Sequence, residues 1–558
     1  MAHGENRRRI RSAITKANSK LNIKNAAILL ASSTLLSSLL GIYREGLING
    51  MYYDTYKVGA DAYTVAFTIP DFMFFVLVSG ALSVSFIPVF NQRMMTGNKQ
   101  SAWELSSSLI NFLALITMVA SVLIMIFAEP LVTYVVGPGL SESGRSLAVS
   151  MMRVIAINPF LFSISAVIAS IQQAIGRFTF YALAPTIYNI GIVIGALFFT
   201  DGINIFGWQV FEGGVMGLAL GVVLGSVLQL IVSSIGLIGV GFDYRFKINP
   251  KNKGFRQVLK LLNTRSLDQG IDYLNGLVET NLASRMAEGS IRAYQQTSSL
   301  SLMPVNLIGV AISNAAFPQM TERLGAGRED LFRKELRSMI RVIIWLIVPV
   351  AVITYFARGY VVGFVYKGPD TLMAGLLGAL VVMIFFRTLY HIAARSFYAQ
   401  QDTKTPLYIS FFTIALNICL AIVLTANWSK NQNAAYGLAW AQSISAAVEV
   451  AILSFFMMKK IPHLFDRTFV RALQKMVLAA IPTAVAVYAT VTLVPLGSDK
   501  RFFLLLPKFA IITAVGFAVY LWCSKKLRLS EADPVLARLK RLFFGRVKIT
   551  WLTGGNMK

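Results

Sequence analysis

Charged side chains are scarce in the long apolar runs of this chain, and the few that occur there define the chemistry open to it. Arg44-Glu45 closes a first apolar stretch and Asp61 opens the next. A guanidinium matches the paired oxygens of a phosphate. Arg44 is therefore a candidate contact for a diphosphate; equally, Arg44 and Asp61 would serve as an ion-pair latch. Further on, Arg265, Asp268, Asp272 and Glu279 stand at offsets 0, 3, 7 and 14. At 100° per residue these share one helical face, with Gly276 on it and Asn275 nearby. Such a face lines a water-filled cavity or binds a cation; the alternative is a structural ladder of ion pairs between Arg265 and the two aspartates. Arg387, His391 and Arg395 follow at i, i+4 and i+8. This basic stripe would receive an anionic head group or pair with the acidic helix, and His391 titrates in the range that suits proton-linked switching. An ionisable group at mid-membrane costs roughly 2.5–3.5 kcal/mol on insertion scales, so each of these marks an interior pathway.

No catalytic constellation accompanies them. The histidines are His3, His391 and His463, and no HExxH, GxSxG, P-loop or kinase set is present. Cys419 and Cys523 both lie in apolar segments and suggest neither a disulfide framework nor a thiolate metal site. The chain reads as a transporter without a cofactor rather than an enzyme. With no nucleotide-binding domain, active transport would draw on membrane potential, a Na+ or H+ gradient, or coupled metabolism.

The elements that carry these residues are membrane helices. Of 558 residues, 56% are hydrophobic and only 14% charged, against about 25% charged in a soluble protein. A spanning helix needs about 20 mostly apolar residues. Such stretches fall near 26–49, 59–90, 102–128, 147–173, 178–200, 213–240, 256–282, 294–320, 335–357, 371–399, 405–427, 433–458, 470–494 and 502–523. The expected fold is all-α and polytopic, with fourteen helices and no room for a soluble catalytic domain. The net charge of +26 sits in short connections rather than on an arm or domain, which argues against nucleic acid and for an anionic leaflet.

Basic connections alternate with poor ones. Arg245, Lys247, Lys251, Lys253 and Arg256 follow the sixth stretch, and Lys459, Lys460, Arg467, Arg471 and Lys475 follow the twelfth; Lys430 alone follows the eleventh. With an even number of spans, both termini are expected in the cytoplasm. The basic N-terminus lacks a cleavage pattern and introduces a retained first helix. The tail from Leu527 to Lys548 mixes Leu and Phe with Lys and Arg, as an amphipathic helix on the inner leaflet or a solubilising tail would.

The chain also repeats itself. Gln172-Gln173 precedes Asn189, and Gln400-Gln401 precedes Asn417, at the same spacing. Gly217-Leu218-Ala219 opens the sixth stretch and Gly437-Leu438-Ala439 the twelfth; Gly80 and Gly309 each stand shortly before a late proline, Pro88 and Pro318. The order pairs helices 1–6 with 7–12 in one orientation, as two lobes about an axis along the membrane normal. The expected divisions are a basic N-terminus (1–25), a first lobe (26–241), a second lobe (242–460), a final helix pair (461–525) and a basic tail (526–558).

From Gly41-Ile-Tyr-Arg44-Glu45 and Asp61-Ala-Tyr-Thr-Val-Ala-Phe-Thr-Ile-Pro70, through Gly176-Arg-Phe and Ala184-Pro-Thr-Ile-Tyr-Asn189, to Ser396-Phe-Tyr-Ala-Gln-Gln-Asp-Thr-Lys-Thr-Pro406, the chain resembles the MurJ (MviN) lipid II flippases. These belong to the multidrug/oligosaccharidyl-lipid/polysaccharide exporter superfamily. The resemblance covers roughly residues 25–525. It implies two six-helix lobes in a V around a cationic cavity, with the final helix pair grooved for a polyprenyl tail. It also implies a monomer in a bacterial cytoplasmic membrane that flips lipid II outward by alternating access for cell wall synthesis. Another polyprenyl-linked saccharide, a cation-coupled drug antiporter and a non-transporting scaffold are the alternatives. Carried over by position, Arg44, Glu45 and Asp61 are substrate-binding candidates, with Glu45 where an Asp is usual; Arg387, His391 and Arg395 join them from the second lobe. Some members bind sodium in the C-terminal lobe, for which Asp268, Asp272 and Asn417, with Glu279, are the candidate ion-coupling residues. The family commonly carries arginines where this chain has Phe74 and Phe75, and often one at Ser38. Its Asp-Arg pair with a following Glu is replaced by Ser298-Ser299 and Leu302. Arg265, Arg292, Arg387 and Arg395 are the candidates to carry the relocated charge.

Overall fold

The structure is a computed structural model that describes residue 18 and residues 23–79, 82–205, 208–366, 370–428, 434–497 and 502–537, with the backbone alone across 261–272. Gly80, most of the N-terminal basic stretch and the tail beyond residue 537 lie outside the described residues, and with that tail the second half of the expected amphipathic helix from Leu527 to Lys548.

Helices cover every expected stretch. They are α1 (Ile23–Ile48), α2 (Lys57–Val78), α3 (Ile87–Met95), α4 (Lys99–Val136), α5 (Glu142–Ala174), α6 (Thr179–Phe199), α7 (Met216–Ile235) and α8 (Lys253–Ser284). There follow α9 (Ser290–Gly325), α10 (Glu329–Phe356), the short α11 (Arg358–Tyr366), α12 (Thr371–Ala399), α13 (Lys404–Trp428), α14 (Ala435–Lys460), α15 (Arg467–Leu493) and α16 (Phe502–Lys526). The second expected stretch is divided between α2 and α3, and α11 is an addition. The strands among the described residues form an antiparallel hairpin, β1 (Ile203–Ile205) against β2 (Trp208–Phe211), joining α6 to α7.

Twelve of the described helices are long and apolar enough to cross a membrane, so the chain is a multi-pass membrane protein. Of the expected spans, α8 falls short of that measure because of the charge it carries, from Lys253 through Lys260 and Asp272 to Glu279.

The chain packs as two compact units, Met1–Gln295 with Val365–Lys367, and Gln296–Phe364 with Gly368–Lys558. This boundary differs from the repeat-based one after residue 241. The reason is local: Phe255 and Val258 of α8 are buried in a core with Phe86, Phe90, Trp103, Leu105 and Leu109, and α8 also packs on the turns at Phe75–Ser79 and Leu131–Val136. Compact packing and sequence repetition therefore cut the chain at different points.

Within the first unit, α6 and α7 are held by glycines. A Cβ on Gly191 would stand 2.2 Å from the Gly225 Cα, and one on Gly221 would stand 2.6 Å from the Gly195 Cα. Small residues let membrane helices touch backbone to backbone where apolar burial gives no driving force. The repeat glycines act alike in each unit: a Cβ on Gly217 would meet the backbone of Phe199, and one on Gly437 the backbone of Leu424 and Thr425. Prolines shape two spans. Pro130 and Pro304 are each followed by a π-helical turn, Leu131–Val136 and Val305–Val310, because a ring that cannot donate forces the ladder to widen. In the first of these, the Val135 carbonyl accepts from the Asn281 side chain at 2.7 Å.

The second unit has its own core, with Ile353, Ala357, Tyr360, Val487 and Ile512 buried together. At the other end of α10, Arg341 pairs with the Glu531 carboxylate at 2.5 Å and Trp345 donates to Ser524 at 3.0 Å. Asp402 caps α13, accepting from the Thr405 backbone at 3.0 Å and its hydroxyl at 2.7 Å, and it also pairs with Lys460. Burial alone would raise the Asp402 carboxyl, but the bonds from Lys460 and Thr405 outweigh it and hold the group at about 2.

Candidate functional site: a charge network at the ends of α1, α2 and α9

The polar cluster at Arg44 grows from four helices, α1, α2, α6 and α9. In α1, Arg44 and Glu45 are neighbours, and the guanidinium pairs with the Glu45 carboxylate. A second guanidinium nitrogen donates to the Asn189 side chain on α6 at 2.8 Å. Asn189 is itself aimed by its amide, which donates to Ser37 and to the Pro185 carbonyl. The other Glu45 oxygen is taken by Arg292, at 2.6 Å. Arg292 also donates to Asn49 at 3.2 Å and lies over the Tyr63 ring.

Asp61 completes the network from α2. It is 3% exposed and accepts from two backbone N–H groups, Gly289 at 2.6 Å and Arg292 at 2.8 Å. Those groups open α9, so Asp61 caps a helix N-terminus from another element, where the orphan donors and the dipole both favour a carboxylate. The Arg44–Asp61 latch expected from sequence is thus corrected. Arg44 is held by Glu45, and Asp61 is held by the start of α9, because Glu45 is adjacent in sequence and Asp61 faces donors that need an acceptor.

The second expected group is dispersed. Arg387 on α12 pairs with Glu449 on α14 at 2.8 Å, and Ser410 of α13 donates to the other Glu449 oxygen at 2.8 Å. Arg387 also lies over the Tyr390 ring. Arg395 stands over the Phe317 ring and has no acidic partner among the described residues. His391 is half-buried between these two cations on its own helix, with its ring near Tyr390.

The acidic helix is only partly described. The backbone of α8 carries Arg265, Asp268, Asp272 and Glu279 on one continuous helix, as the spacing requires. The side chains of Arg265, Asp268 and Asp272 lie outside the described residues. Glu279 is buried and accepts from Asn275 at 2.9 Å. Asn417 is buried in α13 of the second unit. Among the described residues no group of His, Cys, Asp and Glu could hold a metal ion.

The family profile described as "Lipid II flippase MurJ" matches residues 56–507. The chain belongs to the MurJ lipid II flippase family. A probable lipid II flippase MurJ of Bdellovibrio bacteriovorus is 24% identical over 527 residues, covering 92% of this chain and 97% of that one. The solved structure titled "Lipid II flippase MurJ, inward closed conformation" is 25% identical with a TM-score of 0.71, covering 89% of this chain and 98% of that one. An inward-facing multidrug resistance MATE family transporter of the MOP superfamily shares the fold at a TM-score of 0.62 and 15% identity, covering 79% of this chain and 99% of that one.

Against the MurJ pattern, two positions are now explained. Phe74 packs edge-on against Phe162, which packs on Tyr188, and Phe75 stacks on Tyr273 of α8 at 4.3 Å. Aromatic contacts occupy the place of the family's arginines. Of the proposed replacements, Arg292 is the one bound into the Arg44 network. Sequence reading missed Glu449, Asn49 and Asp71. For Glu449 and Asp71 the signal was present: each is an acid inside an apolar helix.

Proposed function

We propose that this protein is a flippase that carries lipid II, the undecaprenyl-diphosphate-linked peptidoglycan precursor, from the inner to the outer leaflet of a bacterial cytoplasmic membrane. The carrying observation is the MurJ family match across residues 56–507. The Arg44 network adds chemistry suited to it: two guanidiniums converge on Glu45, a carboxylate that a diphosphate can displace. In this reading transport runs by alternating access between two six-helix lobes, with the last two helices taking the polyprenyl tail and both termini in the cytoplasm. A monomer suffices, the inner leaflet's anionic lipids contact the basic connections, and a cation or the membrane potential resets the cycle.

The aromatic contacts at Phe74 and Phe75 favour one alternative, a different polyprenyl-linked saccharide whose head group makes fewer ionic contacts. Both readings meet the same test. In cells depleted of their own flippase and expressing this chain, lipid II becomes accessible to an external toxin that cleaves its head group. Arg44→Ala lowers that accessibility at least tenfold at equal protein abundance. No accessibility, with the protein inserted, would refute the lipid II assignment.

A further inference from the structure

The Arg44 network leaves one carboxylate over. Asp71 stands on α2 ten residues after Asp61, about 15 Å deeper along the helix axis. It follows Tyr63 and Phe67 at four-residue steps, and Phe74 and Phe75 come one turn later, so these side chains form one stripe. Tyr63 lies under Arg292, and Phe74 leads through Phe162 to Tyr188. Asp71 is thus on the wall that holds Arg44, and the Arg44 guanidinium is within electrostatic reach of it, as are Tyr63 and Tyr188.

The other acids of this wall are satisfied. Glu45 holds both arginines, and Asp61 holds two backbone N–H groups. Asp71 makes no hydrogen bond or ion pair among the described residues. Among the described residues, two arginines therefore face three carboxylates on this wall. An unpaired carboxylate there is costly and acquires a cation. A proton fits better than a metal ion, since hard cations demand six or so oxygen ligands and no metal-holding group of acids surrounds Asp71 among the described residues.

We propose that Asp71 is a proton site linked to the anionic lipid: it carries a proton while the diphosphate engages Arg44 and releases it when the lipid leaves. This rests on the flippase reading above. The linkage follows from charge. A diphosphate brought to a wall already in negative excess is repelled by an ionised Asp71 and tolerated beside a neutral one. Tyr63 on its own helix and Tyr188 on α6 also bear on Asp71; Glu45 on α1 and Arg292 on α9 bear on Tyr63, and Tyr273 of α8 stacks on Phe75 one turn beyond Asp71. On α5, Arg145 follows Gly144, which abuts Val58 at the far end of α2.

The test is calorimetric titration of the full-length protein in nanodiscs with lipid II, in paired buffers of different ionisation heat, from pH 5.5 to 8. Wild type takes up about one proton per lipid bound, and its affinity falls by up to tenfold per pH unit where Asp71 ionises. Asp71→Asn binds lipid II with that uptake lost, and Asp71→Glu restores it. Melting curves show Asp71→Asn folded, at or above the wild-type midpoint. Equal uptake by wild type and Asp71→Asn assigns the proton to another group and overturns the proposal. So does uptake that vanishes when choline replaces sodium. If wild type fails to bind lipid II at all, the flippase reading falls, and the linkage with it.

Discussion

Each unit holds an arginine paired with an acid, half-buried Glu45 in the first and buried Glu449 in the second, yet the two settings differ in residual charge. In the first unit, Arg44 and Arg292 face Glu45, Asp61 and Asp71. In the second, Arg387 faces Glu449, while Arg395 has an aromatic ring and no acid among the described residues. One wall is left with a negative charge to neutralise and the other with a positive charge to offer. On the proposals above, the diphosphate engages Arg44 on α1 and the proton sits on α2, while the charge of Arg395 on α12 has no acidic match among the described residues.

The largest effect that tests this contrast comes from breaking each pair. Arg292→Met strips Glu45 of one partner in a buried network, and about 3–5 kcal/mol of stability goes with it. Glu449→Gln leaves Arg387 half-exposed over Tyr390 and costs about 1–2 kcal/mol. Denaturation of both variants in one detergent measures the gap; equal losses would erase the distinction between the units.

The contrast extends to the connections that precede α6 and α13. A residue with left-handed backbone stands in each, Gly176 at φ +78° and Gln401 at φ +60°. In the second unit, Asp402 and Lys460 hold the turn. Asp402 is depressed below its unfolded value, so its contribution is complete above about pH 4 and fades as pH falls toward 2. Asp402→Asn removes about 1–2 kcal/mol at neutral pH, allowing for solvent screening, and abolishes that part of the acid dependence. The smallest effects are conformational. Gly176→Ala costs about 1 kcal/mol, since open space surrounds the new Cβ and only the backbone objects. Gln401→Gly gains at most about 0.5 kcal/mol, because relief of the turn is offset by a freer unfolded chain. Thermal midpoints of the two variants read both.

Much of this was legible in the residues. Apolar length located each expected stretch on a helix, because a bilayer imposes a minimum length on every span; it did not place the short α11 or divide α2 from α3. Arg44, Glu45 and Asp61 were legible as a charged group from their cost at depth. Their pairing was not, because the donors that hold Asp61 are backbone groups at Gly289 and Arg292, which no side-chain pattern announces. The repeat glycines Gly217 and Gly437 were legible as a correspondence, and their role as contact points needed coordinates. Arg387 was legible as a cation for an anionic head group or for the acidic α8, whereas its acid, Glu449, comes from α14.

The π-helical turn at Leu131–Val136 absorbs one extra residue without lengthening α4 by a full turn. Side chains beyond it are swung about 100° around the axis while staying at nearly the same depth. Deleting one residue from this turn would therefore act as a rotation rather than a shortening. The carbonyl of Val135 would turn away from Asn281, and α8 would lose its tether to α4 with no change in the length of chain that crosses the bilayer.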